Sequence, residues 1–143
     1  MILFNSKSAT YKWLSNMFAC DVPGSGGRIW GSSEHLFQAC KTTDKRERDR
    51  IHAARNGFEA KKRGRYVTLR PDWDQKKLGF MKAVVRQKFT HNPELKEKLL
   101  ATGEEELVEY APWGDRFWGV DSEGHGKNHM GKILMELRAE LRQ

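Results

Sequence analysis

The sequence predicts an α+β fold, a mainly helical single domain over residues 1–143 with a small N-terminal β-hairpin and short strands. Three observations carry that reading. Residues 1–31 are rich in aromatic and β-branched residues and hold the glycine-rich run Pro23-Gly24-Ser25-Gly26-Gly27. Helix-capping signals then recur ahead of segments with apolar spacing of three and four. A strongly amphipathic segment closes the chain.

Each element has a local reason. Phe18-Ala19-Cys20-Asp21-Val22 and Arg28-Ile29-Trp30 flank the glycine run, and flexible residues between two strand-prone segments read as a hairpin turn. Ser32 or Ser33 can cap a helix near Glu34, because a serine oxygen accepts from the free N–H groups of the first turn. Asp44, with Glu47 three residues on, makes a capping-box-like start for the next helix. Asp72 reads as the cap of a long helix in which Leu78, Met81, Val85 and Phe89 recur at i, i+3, i+7 and i+11 as a core stripe. Asn92-Pro93 opens a helix through Leu99, since asparagine caps well and proline suits the first helical position. A short strand is expected over residues 106–110. The last helix gathers Met130, Ile133, Leu134, Leu137 and Leu141 on one face, with Asn128 as its cap. No repeat, low-complexity stretch or linker is visible.

Composition narrows the setting. A chain of 143 residues is long enough to bury a core, and with 38% hydrophobic and 31% charged residues it reads as a folded domain with a solvated surface. No apolar run approaches the ~20 residues of a membrane span. Met1-Ile2-Leu3-Phe4 is too short and uncharged to open a secretory signal, so the expected location is cytoplasmic. Cys20 and Cys40 are the only cysteines and lie in no CxxC or His/Cys spacing, which supports neither a disulfide framework nor a structural metal. The net charge is +7. Lys45-Arg46-Glu47-Arg48-Asp49-Arg50 mixes signs as a solvated helix does, whereas Lys61-Lys62-Arg63-Gly64-Arg65 is uninterrupted by acids and is the better anion site. Cations at that density attract phosphates and nucleic-acid backbones, although a merely soluble basic surface has the same composition.

Chemistry concentrates first in Ser33-Glu34-His35-Leu36-Phe37-Gln38-Ala39-Cys40-Lys41. As a helix it places Glu34, Gln38 and Lys41 at i, i+4 and i+7, a stripe ~60° wide. A carboxylate, an amide and an amine on one line suit bond cleavage. On the residues alone, an exposed ion-pair ridge is the commoner use of that pattern. Asn16, between Trp13 and Phe18, can hold a turn or bond a ligand. Trp73 follows a helix start, where it can stack on a base or fill the core. A third cluster runs through Asp115, Trp118 and Gly119 to Gly126, Asn128 and Gly131. Its glycines allow close backbone approach, and it ends at a helix N-terminus that favours phosphate.

Taken in order, Leu14-Ser15-Asn16, Ser33-Glu34-His35-x-Phe37-Gln38-Ala39-x-Lys41, Asp72-Trp73-Asp74, Lys88-Phe89, Asp115-x-x-Trp118-Gly119 and Gly126-x-Asn128-x-x-Gly131-Lys132-x-Leu134-Met135 resemble the NADAR, or YbiA-like, family over nearly the whole chain. The resemblance implies hydrolysis of an N-glycosidic bond on a ribosyl or ADP-ribosyl compound. Family members remove ADP-ribose from modified guanine in nucleic acid, or cleave ribosylamino-pyrimidine phosphates of riboflavin biosynthesis. In those terms Glu34, Lys41 and Asp115 are the catalytic candidates, with Lys41 as nucleophile, Glu34 as acid/base or stabilising carboxylate, and Asp115 orienting water or ribose hydroxyls; oxocarbenium-like hydrolysis driven by Glu34 alone is the alternative to an imine on Lys41. Asn16, Ser33, Gln38, Trp73, Trp118, Gly119, Gly126, Asn128 and Gly131 are the substrate-binding candidates, Asn128 and the 126–131 turn taking phosphate. The implied partners are an ADP-ribose or phosphoribosyl substrate and ADP-ribosylated DNA or RNA. No metal and no cofactor is implied. A noncatalytic module that recognises ADP-ribose through the same surface is the competing class.

Overall fold

In the computed structural model, which describes residues 1–143, the chain runs through β1 (Ile2–Phe4), β2 (Val22–Pro23), β3 (Ile29–Trp30), α1 (Ser33–Ala39), α2 (Lys45–His52), α3 (Gly57–Gly64), α4 (Trp73–His91), α5 (Pro93–Ala101), β4 (Leu107–Glu109) and α6 (His129–Leu141). Contacts gather these elements into two compact units, residues 16–92 and residues 1–15 with 93–143.

In the unit of residues 16–92, β2 and β3 pair antiparallel, Val22 opposite Trp30 and Pro23 opposite Ile29, so the hairpin forms where the glycine run predicts it. Gly26 and Gly27 turn the chain at φ 70° and 80°, a region costly for any residue with a Cβ. Ser32 caps α1 by accepting the His35 N–H at 3.1 Å. Asp44 caps α2 through the Glu47 N–H at 2.9 Å, but the second half of the capping box is replaced. Glu47 instead accepts from the Thr42 hydroxyl at 2.6 Å and the Thr68 N–H at 2.8 Å, tying the start of α2 to the segment after α3. Helix α3 has no counterpart in the sequence reading, because glycine stands at both of its ends and its interior is mostly charged; Asn56 caps it through the Glu59 N–H at 2.9 Å.

Asp72 precedes α4 but does not cap it. Its carboxylate is taken by Arg70 at 2.6 and 3.2 Å, a charge-assisted pair stronger than a neutral cap bond. Met81, Val85 and Phe89 are buried as the stripe requires, and Leu78 is half-buried. Asn92 closes α4, its amide nitrogen donating to the carbonyls of Lys88 at 2.8 Å and Asp21 at 2.9 Å.

In the other unit, β4 forms inside the expected segment and pairs parallel with β1, Ile2 opposite Leu107 and Phe4 opposite Glu109. Helix α6 packs on β4 and buries Met130, Ile133, Leu134 and Leu137. The approach is close: a Cβ on Gly131 would collide with the Leu107 carbonyl. Asn128 is not the cap that was expected. It sits at φ 52°, and its side chain stitches β4 to the helix start by accepting the Glu109 N–H and donating to the Leu107 carbonyl, both at 3.0 Å.

Candidate catalytic site

All seven residues of α1 are buried, so the Glu34 and Gln38 ridge lies inside the unit of residues 16–92 and is not a solvated face. The reason is that α1 is covered by α2, α3 and α4. Buried polar groups need partners, and most find them. The Ser32 hydroxyl meets His35 Nδ1 at 2.7 Å, and Nε2 lies 2.9 Å from the Ala54 carbonyl, which can only accept; the ring proton therefore sits on Nε2. Asn16 holds the start of α1: its carbonyl accepts the Glu34 N–H at 3.1 Å, and its Oδ1 accepts from the Ser33 hydroxyl at 2.8 Å. Gln38 donates through Nε2 to Glu34 Oε2 at 2.6 Å, while its Oε1 is buried with no hydrogen-bond partner.

Lys41 lies just beyond α1, in the turn that follows it. The helical stripe continues only through the Lys41 N–H, which donates to the Gln38 carbonyl at 3.1 Å. Its side chain is half-buried, and burial pushes the amine below the ordinary lysine range. The Glu34 carboxylate pulls it back up, and Lys61 and Arg65 press it down further. Burial and nearby cations both favour the neutral, nucleophilic form of a lysine amine. The neighbouring Cys40 thiol is moved the other way, burial raising its pKa against the pull of Arg48 and Arg70. A raised thiol pKa means little thiolate and little reactivity.

Trp73 belongs to the core. It is 8% exposed, stacked at 5.9 Å on Phe80 and tilted at 5.2 Å against Phe37, which leaves little of the ring for a base.

The remaining candidates belong to the other unit. Asp115 Oδ1 accepts the N–H groups of Phe117 at 3.0 Å and Trp118 at 2.9 Å, holding the loop in a tight turn. The half-buried Trp118 ring meets Phe117 edge to face at 4.8 Å. Gly119, Gly126 and Gly131 each leave no room for a Cβ, their nearest obstacles being the carbonyls of Glu109, Gly119 and Leu107. Those glycines serve close packing. Gly126 and Asn128 also line a groove of about 480 Å³ together with Tyr110, Val120, Lys127 and Lys132. Nowhere do three His, Cys, Asp or Glu side chains converge as metal ligands would. No helix is long and apolar enough to cross a membrane.

Sequence reasoning singles out Glu34, Gln38 and Lys41 as candidates but does not show that Lys61 and Arg65 act on Lys41. The basic run was visible; its position beside Lys41 was not, because α3 itself was unanticipated.

Comparison with known proteins agrees with this architecture. The chain is 38% identical over 143 residues to the N-glycosidase YbiA of Escherichia coli (strain K12), covering 99% of this chain and 88% of that protein. It is 37% identical over 144 residues to a riboflavin biosynthesis protein of Vibrio vulnificus (strain YJ016), of whose length it spans 39%. The NMR structure of the E. coli protein YbiA superposes with a TM-score of 0.88 at 38% identity, covering 99% of this chain and 84% of that one. Residues 3–142 match the NADAR domain, and the chain belongs to that family.

Proposed function

We propose that this chain is an N-glycosidase that hydrolyses the C1–N bond between a phosphorylated ribose and a base, with Lys41 as nucleophile and Glu34 as its proton partner. The observation that carries the reading is a half-buried amine, held below its ordinary pKa, acting on and acted on by a buried carboxylate. The neutral Lys41 amine attacks C1, and the C1–N electrons leave with the base, whose nitrogen takes a proton. Loss of a proton from the new ribosyl-amine lets the ring C1–O bond open, with a proton passing to the ring oxygen, and leaves an imine. Water adds to the imine carbon, and collapse returns the free amine and ribose. The sum is base-riboside plus water giving base and ribose. Glu34 takes and returns protons along this path, and Gln38 holds its carboxylate through the Nε2 hydrogen bond. All of this chemistry rests on residues 16–92.

The substrate class we propose is ADP-ribosylated guanine in nucleic acid, which the net charge of +7 supports. One observation favours the second class, ribosylamino-pyrimidine phosphates: the name of the Vibrio relative. Parallel incubation with guanine-ADP-ribosylated DNA and with the riboflavin intermediates, scored for released base, separates the two. Lys41→Ala is expected to cut turnover by more than about a thousandfold while ligand still binds. Borohydride during turnover is expected to trap an adduct on Lys41. Wild-type protein that binds both substrates and turns over neither would establish a recognition module instead.

A further inference from the structure

Helix α3 lies along the same edge of α1 that carries the acid and the amide. Gly57, Lys61 and Gly64 fall at i, i+4 and i+7, one stripe of the helix ~60° wide. A Cβ on Gly57 would stand 3.4 Å from the Cβ of Glu34, and one on Gly64 would stand 3.2 Å from the Cβ of Gln38. The two glycines thus bring the α3 backbone against Glu34 and Gln38, and Lys61 leaves the helix from between them. Arg65, the residue after α3, is one turn beyond Lys61. Both act electrostatically on the Lys41 amine.

Among their basic neighbours Lys62 is exposed to solvent, and the arginines are already neutralised. Arg63 and Arg55 share Glu59 at 2.5 and 2.8 Å, and Arg70 holds Asp72 at 2.6 Å. Lys61 and Arg65 have no carboxylate. Three basic groups, Lys41, Lys61 and Arg65, therefore face the single carboxylate of Glu34. Like charges gathered at a partly desolvated wall are unfavourable until an anion completes the set. A phosphate ester carries the matching charge, and it suits a guanidinium fork beside an ammonium point charge.

We propose that Lys61 and Arg65 form the phosphate subsite of the Lys41 centre and select a phosphorylated ribosyl group over the bare nucleoside. This rests on the assignment of Lys41 above and places the phosphate on α3, not on the 126–131 turn. The test uses ribose 5-phosphate and ribose, two free sugars that can form an imine with a lysine directly, with cyanoborohydride to reduce it and peptide mapping to locate it. Wild-type protein is expected to label Lys41 at a concentration of ribose 5-phosphate at least about tenfold lower than of ribose. The double variant Lys61→Gln/Arg65→Gln loses that ratio, whereas Lys127→Gln, in the groove beside the 126–131 turn, keeps it. A ratio that survives the double variant, or disappears in Lys127→Gln, overturns the subsite. If neither sugar labels Lys41, the nucleophile assignment fails on its own, and calorimetric binding of ADP-ribose decides the subsite. Affinity at least about tenfold weaker in the double variant than in Lys127→Gln upholds it, and equal affinities overturn it. Far-ultraviolet circular dichroism checks that each variant folds.

Discussion

At the scale of the residue, the behaviour of the Lys41 amine is set by what surrounds it. Desolvation disfavours its ammonium, Lys61 and Arg65 repel it, and Glu34 alone favours it. Because the neutral amine is the attacking form, kcat/KM should rise with pH along a limb that lies below the ordinary lysine value of about 10.4. The sign of each substitution follows. Lys61→Gln removes a repelling cation, so the limb moves to higher pH. Glu34→Gln removes the one stabilising carboxylate, so the limb moves to lower pH while the plateau drops with the loss of the proton partner. A pH profile of the three proteins checks this, and superimposable limbs would refute the assignment of Lys41 as the titrating nucleophile. Gln38 shows how little of such a site is legible residue by residue. Its place on the stripe was readable, but its burial and its unpaired oxygen follow from α3 lying over it.

At the scale of the element, the packing of α3 on α1 depends on glycine at the last position of α3. A methyl group at Gly64 would collide with the Gln38 carboxamide. Gly64→Ala should therefore lose more through overpacking, typically about 1–3 kcal/mol, than the ~1 kcal/mol it gains in helix propensity. It should also push Gln38 off Glu34. The expected outcome is a lower melting temperature and lower kcat together, measured by thermal unfolding and turnover; an unchanged melting temperature would show that Gln38 has another place to go. The same elements explain which helix starts could be foreseen. Ser32 and Asp44 cap as expected because each bonds an N–H only three residues away. Asp72 and Asn128 do not, because a nearby guanidinium and a strand edge distant in sequence compete for their side chains.

At the scale of the whole molecule, stability should carry the signature of Lys88. This α4 residue is fully buried, its amine 5.2 Å from the Phe89 ring and 5.8 Å from that of Phe18. Burial pushes it down to about 8 from 10.5, with Cys20 opposing. Between those two values the unfolded chain binds the proton and the folded chain does not, so stability rises with pH across that window. Below it both forms are charged, and the full cost of burial, roughly 3 kcal/mol, is constant. Lys88→Met should abolish this rise. Denaturant midpoints at pH 7.5 and 10 for both proteins measure it, and parallel pH dependence would contradict the low value.

By itself the sequence determined the helical α+β class, the hairpin, the long and the closing helix, and the Glu34, Gln38 and Lys41 line, because caps, turns and periodicity are interactions between residues a few positions apart. The tertiary structure decided that Glu34 and Gln38 are buried with Lys41 half-buried beyond the helix, that β1 pairs with β4, and that Trp73 stacks in the core. It also decided that Lys61 and Arg65 act on Lys41. Each of these depends on burial or on contacts across tens of residues, and the side chains involved carry the same local pattern whether water or another helix lies over them.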